Sequence, residues 1–440
     1  MDSSRRQDPS RVQRKRKMTN ALLIKNARLL DPGQKIDRLG SILLRDGRIA
    51  WWGSKNQYPA GSGFDVLEAE GLVVCPGFID LHCHLREPGF ERKETITSGA
   101  KAAARGGFTT ICCMPNTQPP LDNIETINLV KTMADNDAIV RVLPIACVTK
   151  GRHGKELVDM EALAHAGIAG FSDDGDTVKT EDLMRQALIT SKKFSLPIID
   201  HCEDPIGGPP DGEVKIVARD LKLAEETGGW VHIAHVSTSG SVELIKRAKY
   251  KGLKVTAEVT PHHLTLTEDA VIKYGTLAKV NPPLRSMQDR DAMVKALKDG
   301  VIDCIATDHA PHAYADKTKN FSLAASGISG FETAFGSLMG LVHGGQLTFT
   351  DLLYRLTTTS AHILGEKFGK LGSLVVGAVV DIVILDPEKE WVVDVEKFTS
   401  RGKNTPLNGM RLKGKVMATL PRGKIVYKDD SLSIQREFLR

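Results

Sequence analysis

The 440-residue chain contains no C-x-x-C pair, and its cysteines number seven, at 75, 83, 112, 113, 147, 202 and 304. An odd count without paired spacing argues against a disulfide framework. Most of these residues sit inside apolar runs, so they read as buried, reduced thiols of a cytosolic protein. No apolar run is long enough to span a membrane, and no secretory apolar region is present. There is no G-x-G-x-x-G or Walker motif to argue for a nucleotide site, and no short-period internal repeat. The body of the chain also lacks net charge. The formal total of +5 is carried entirely by residues 1–20, where Arg5, Arg6, Arg11, Arg14, Lys15, Arg16 and Lys17 face only Asp2 and Asp8. The folded part therefore gives no net electrostatic case for binding nucleic acid.

The basic tail, residues 1–19, lacks aromatics and almost all large apolar side chains, which predicts disorder. Three readings stay open for it: an unstructured extension that translation bypasses by starting at Met18, an organelle presequence without the usual apolar face, or a nucleic-acid-binding arm.

Elsewhere the composition is that of an ordinary globular protein, 41% hydrophobic and 26% charged with 40 glycines, long enough to bury a large core. Residues 20–72 carry short strand signals separated by turns such as Arg45-Asp46-Gly47. The same texture returns over 368–428, which predicts one small β-sandwich domain assembled from both termini, with 429–440 as a C-terminal extension. The middle, 73–367, alternates strand and helix. Candidate strands are Val73–Leu85, Phe108–Met114, Val140–Val148, Gly167–Asp174, Pro197–Cys202, Val231–Val236, Val255–Val259 and Asp303–Thr307. Helix-like stretches such as Thr95–Arg105, Glu181–Phe194 and Ser239–Tyr250 lie between them. Eight strands in that rhythm predict an α/β fold, a (β/α)8 TIM-type barrel.

The first of these strands runs into Asp80-Leu81-His82-Cys83-His84-Leu85-Arg86. Alternation along a strand points Asp80, His82, His84 and Arg86 to one face, with Cys83 on the other. Two imidazoles at that spacing can chelate one metal ion and leave positions open for water or substrate. A cation two residues further on can hold an anionic substrate over it. Catalytic residues of such barrels sit where strands end. His82 and His84 end the first strand, Asp173-Asp174 the fourth, His201 the fifth, His235 the sixth and Asp308 the eighth. Four histidines and two carboxylates at one mouth suit two divalent ions sharing a bridging carboxylate.

These residues, together with Met114-Pro115-Asn116-Thr117, Thr260-Pro261-His262-His263, Asn281-Pro282-Pro283-Leu284-Arg285 and Thr307–His312, resemble the dihydroorotases of the long, bacterial-type class, members of the amidohydrolase superfamily. The resemblance spans roughly residues 20 to 428. It implies two zinc ions, held by His82, His84, Asp174, His201, His235 and Asp308, with an Asp of Ser172–Gly175 as the bridge. Spacing to His201 favours Asp174 over Asp173. It also implies that Asp308 is the general acid–base, and that Arg86, Asn116, Asn281, His312 and Gly327 hold the substrate. The reaction implied is reversible hydrolysis of dihydroorotate to carbamoyl aspartate in pyrimidine synthesis, by a cytoplasmic enzyme that forms a homodimer or a complex with aspartate carbamoyltransferase.

Hydantoinases and allantoinases bridge their metals with a carbamylated lysine, and Ser172–Gly175 holds no lysine. A non-catalytic scaffold for the carbamoyltransferase is a second alternative, although such scaffolds lose metal ligands that are all present here. Two departures stand out. The stretch between His201 and His235 is shorter than in the family, through Pro205–Gly212, and Ala325-Ser326-Gly327-Ile328 lacks the family's usual proline. Of the other histidines, His153, His165, His343 and His362 read as ordinary. His232 and His309 read as candidates for orienting roles, and His262-His263 as structural or orienting.

Overall fold

The computed structural model describes residues 21–55, 64–204, 208 and 210–437. The expectations for the tail, and for positions 205–207 and 209 of the shortened stretch, lie outside the described residues.

Both ends of the chain enter one mixed sheet of nine strands. Its main path runs Tyr427–Lys428, Arg411–Pro421, Asp381–Val392, Val73–Pro76, Ala21–Asp31, Ile36–Arg45, Arg48–Ser54. Phe64–Glu68 also pairs with Ala21–Asp31, and the late strand Gln435–Glu437 pairs antiparallel to Phe64–Glu68. The run Val73–Leu85, expected as one strand, is two. Val73–Pro76 joins this sheet, and after a break at Gly77 the strand Phe78–Cys83 starts the parallel part of the fold. A side chain at Gly77 would overlap Thr109, its Cβ lying 2.2 Å from the Thr109 methyl. The strict two-residue period of a strand divides the sheet's faces. Val74, Ile382 and Ile384 pack with Ile24, Ile42 and Ile49 in the sheet's own core. Val73, Cys75, Val383, Leu385 and Val416 join the large core beneath the helices.

The middle of the chain forms parallel strands. Phe78–Cys83, Phe108–Cys113 and Arg141–Pro144 pair in one group, and Ile198–Asp200, Val231–Ile233, Val255–Val259 and Cys304–Ile305 in another. Single parallel bridges, Ala146 to Phe171 and Phe171 to Ile198, connect the groups on one side. A bridge from Cys83 to His309 connects them on the other. The fourth expected strand, Gly167–Asp174, is thus reduced to the bridging residue Phe171. Val255–Val259 has the expected bounds, and the remaining strands are shorter than their apolar runs; after Ile198–Asp200, Val231–Ile233 and Cys304–Ile305 the chain leaves the ladder and reaches His201, His235 and Asp308.

Small and aliphatic side chains (Ile79, Leu81, Cys112, Leu143, Ile145, Ala169, Ile199, Ala234, Cys304 and Ala306) form one buried cluster along these strands. Leu364, from the helix Thr358–Leu364, joins that cluster. The connecting helices start where the sequence supplies caps. Thr95, Thr180 and Thr238 each accept from a backbone N–H three residues on, opening the helices Ile96–Arg105, Glu181–Lys192 and Ser239–Tyr250. At Thr95 the cap is reciprocal, since its own N–H donates to Ser98 Oγ at 3.0 Å.

Candidate active site

The strand Phe78–Cys83 delivers His82, which is fully buried. Its Nδ1 lies 2.7 Å from Glu258 Oε1, so Nδ1–H donates to that carboxylate and Nε2 is left as a bare acceptor. That Nε2 has no hydrogen-bond partner, and Asp174 Oδ1 faces it at 3.2 Å. One residue beyond the strand end, His84 repeats the arrangement. Its Nδ1 pairs with Asn116 Oδ1 at 3.0 Å, while its Nε2 faces Asp308 Oδ1 at 3.0 Å. Asn116 Nδ2 donates to Asp174 Oδ2 at 3.2 Å, which fixes the orientation of its amide.

Asp174 stands among all four imidazoles. Besides His82, it approaches His84 at 3.6 Å, His201 at 3.7 Å and His235 at 3.8 Å. Asp173 turns away and accepts from Val148 N, Thr149 N and Thr149 Oγ1. His201 Nε2 donates to Glu203 Oε2 at 3.1 Å, leaving its Nδ1 against His235 Nε2 at 2.9 Å. His235 and Asp308 both have left-handed backbones, at φ 31° and φ 45°, an unusual conformation for residues with side chains.

The donor chemistry suits divalent cations. Three imidazoles have their outer nitrogen engaged by Glu258, Asn116 or Glu203. The facing nitrogens and the carboxylates of Asp174 and Asp308 are then acceptors turned toward one another, an arrangement that needs positive charge between them. His82, His84 and Asp308 form one compact group, and His82, Asp174 and His235 another. Burial works against ionising Asp308, but when their facing nitrogens carry protons instead, His84 and His82 hold its carboxyl well below the usual range.

On the open side lies a cavity of about 240 Å³, lined by His84, Arg86, Asn116, Asp174, His201, His235, Asn281, Asp308, His312 and Gly327 among others. Arg86 reaches it through a left-handed backbone at φ 63° rather than by strand alternation. Its Nε donates to Pro311 O at 3.3 Å. Burial lowers the Arg86 pKa to about 10, so it is cationic at neutral pH. His312 Nε2 donates to Ser326 O at 2.8 Å, and its Nδ1 has no partner. Burial, then the nearby Arg86, pushes its pKa down to about 2, so it is neutral. Asn281 Nδ2 donates to Glu203 Oε2 at 2.7 Å. Gly327, at φ 137°, is pressed against the same wall, where a Cβ would lie 2.6 Å from Ala310 Cβ and 3.2 Å from His312 Nε2.

Alternation misplaces Asp80, whose carboxylate accepts from Thr307 N and Oγ1, both at 2.7 Å, instead of facing the cavity. Cys83 joins the outer core. His232 Nε2 shares Glu258 with His82 at 3.1 Å, and His309 Nε2 pairs with Glu94 Oε2 at 3.3 Å. His263 donates to Pro282 O at 3.0 Å beside Asn281. Sequence reading missed Glu258. The available signal was a charged residue inside the buried strand Val255–Val259, where an apolar one is expected.

A cluster of buried imidazoles and carboxylates at the strand ends, opening on a cavity bordered by one half-buried guanidinium, marks a metal-dependent cyclic amidohydrolase. Residues 71–212 match the family model described as dihydro-orotase-like. The chain is 46% identical over 429 residues to the dihydroorotase of Thermoanaerobacter sp. (strain X514), covering 93% of this chain and 98% of that one. It is 43% identical over 426 residues to that of Aquifex aeolicus (strain VF5), covering 93% and 99%. Among solved structures it is similar to the L-hydantoinase of Arthrobacter aurescens, with a TM-score of 0.85, 25% identity and coverage of 96% and 99%. At this identity over nearly its whole length, the chain belongs to the dihydroorotase family.

Proposed function

We propose that this chain catalyses the reversible hydrolysis of L-dihydroorotate to N-carbamoyl-L-aspartate, with two zinc ions held by His82, His84, Asp174, His201, His235 and Asp308. The observation that carries this reading is the position of Asp174, within 3.8 Å of all four imidazoles, combined with Arg86 on the same cavity. When bound, divalent ions supply Lewis acidity, making a water more acidic and a ring carbonyl more electrophilic.

The protein's own groups do the rest. Arg86 grips the substrate carboxylate with paired, charge-assisted hydrogen bonds. His312 borders the same wall of the cavity, and Asn116, Asn281 and the Gly327 backbone set the plane of the ring. Asp308 is ionised and so able to accept a proton from the attacking water. It then passes that proton to the departing ring nitrogen, the task of a general acid–base. In the cyclisation direction the same groups act in reverse order. The parallel strands are read as one closed (β/α)8 barrel, supported by the bridges at Phe171 and between Cys83 and His309. The nine-stranded sheet is read as the small sandwich at its side. Seven free, buried thiols support a reducing compartment, the cytoplasm, as its location. Among the described residues no helix is long and apolar enough to cross a membrane.

The test is an assay of purified protein for dihydroorotate hydrolysis, with metal content measured on the same sample. Turnover with close to two zinc ions per chain is expected. Protein that turns over a hydantoin or dihydrouracil but not dihydroorotate overturns the assignment.

A further inference from the structure

We infer that Asn404, which lies outside the strand-end cluster, is a positioning residue that sets the shape of the substrate-carboxylate end of the site. This rests on the dihydroorotate reading above. Asn404 lies in the connection between the strands Asp381–Val392 and Arg411–Pro421, far along the chain from every residue of the cavity, and it is buried at 3% exposure. Its amide is fully committed to two separate loops. Nδ2 donates to Ala310 O and to Gly327 O, both at 3.0 Å. Oδ1 accepts from His312 N at 2.8 Å and from Ser329 Oγ at 3.0 Å. The Asn404 backbone carbonyl also accepts from Ser329 N at 2.8 Å. An asparagine side chain has two N–H donors and an oxygen with two lone pairs, so no capacity is left over for another role.

The two loops it ties together carry His312 on one side and Ser326–Gly327 on the other, and both line the cavity beside Arg86. They approach too closely for any slack. A Cβ at Gly327 would meet Ala310 Cβ at 2.6 Å, and one at Gly402 would meet Pro311 Cβ at 2.5 Å and Asn404 Oδ1 at 2.7 Å. Pro311 O in turn accepts from Arg86 Nε, so the guanidinium, His312 and Gly327 are all referenced to one buried amide. None of these bonds reaches the strand-end histidines or Asp174. Asn404 therefore governs how the anionic end of the substrate is held, with no direct hold on the imidazole cluster that would bind the metals.

Asn404→Ala removes all four side-chain bonds. Asn404→Asp keeps the shape and the acceptors but puts an oxygen against the carbonyls of Ala310 and Gly327, and serves if the alanine variant fails to fold. Dihydroorotate KM should rise about tenfold or more, with kcat within about threefold of wild type. Metal content should equal that of wild type, and any trace hydrolysis of dihydrouracil, which lacks the carboxylate, should be unchanged. A lowered melting temperature with unchanged KM would make Asn404 purely structural and overturn the inference, as would loss of metal or a fall in kcat alone. Wild-type protein inactive on dihydroorotate would instead defeat the functional reading on which the inference rests.

Discussion

His82 Nδ1 lies 2.7 Å from Glu258 Oε1, and the other oxygen of that carboxylate lies 3.1 Å from His232 Nε2. Glu258 therefore decides which His82 nitrogen carries the proton and holds the ring so that Nε2 faces Asp174. Burial opposes its ionisation, but the two histidines hold the carboxyl down at about 2. Partners of this kind usually contribute about 10–100-fold to metal affinity. Glu258→Gln should lose zinc to a competing chelator at a concentration about that much lower than wild type does, and kcat at saturating zinc should fall less. Equal chelator resistance in the two proteins would remove the orienting role.

Asp308 faces His84 Nε2 at 3.0 Å and lies 3.7 Å from His82 Nε2. Together with Asp174 it borders the open cavity, three residues beyond the strand Cys304–Ile305. Asp308→Asn keeps the volume and one oxygen, so much of the metal should remain. Turnover should fall about 10²–10⁴-fold, the usual cost of removing a general base. Near-normal turnover, measured with zinc content on the same sample, would assign proton transfer to another group.

The parts of this site that were legible in sequence are those that follow from strand position. His82, His84, His201, His235 and Asp308 each stand just where an apolar run ends, and a polar residue there faces the mouth. The alternation argument fails at its two ends for backbone reasons. Asp80 is bound by Thr307, two residues beyond the strand Cys304–Ile305, and Arg86 reaches the cavity where its φ of 63° turns the chain after the strand has stopped. Glu258 carried a weak signal as a charge inside a buried strand. Asn404 carried none, because its partners lie 75 to 94 residues away and only the packed loops bring them together. Two-residue strands such as Cys304–Ile305 are likewise set by their neighbours, not by local propensity.

All seven cysteines are free and buried, and burial raises the thiol pKa of each. For Cys113 it reaches about 12. A thiol without thiolate character or exposure is a poor nucleophile. Native protein should therefore show essentially no fast-reacting thiol with an aromatic disulfide reagent, and all seven should react after denaturation. A fast-reacting thiol in the native state would contradict the packing around that residue.

Chelation tests the cluster as a whole. Ions that bind the native state alone stabilise it by mass action. Without them, the acceptors of His82, His84, Asp174 and Asp308 confront one another in a buried space. Exhaustive chelation should abolish activity and lower the melting temperature, and added zinc should restore both. His82→Ala should behave like chelated protein and should not respond to zinc. Full activity after complete metal removal would end the metal-dependent reading.

In the proposed reading substrate choice rests on Arg86, whose guanidinium borders the cavity beside His312. With Arg86 lowered only to about 10 and His312 neutral down to about 2, neither group changes charge between about pH 6 and pH 9. KM for the anionic substrate should be flat across that range and rise only as Arg86 begins to lose its proton near pH 10. Arg86→Lys keeps the charge but loses the planar, paired contact with a carboxylate. Losing such a charge-assisted pair in the substrate-filled cavity costs about 2–5 kcal/mol, so catalytic efficiency on dihydroorotate should fall by about 30-fold or more. Dihydrouracil never uses the contact, and any trace activity on it should barely change. If both substrates suffer equally, Arg86 supports the fold of the loop and does not select the substrate.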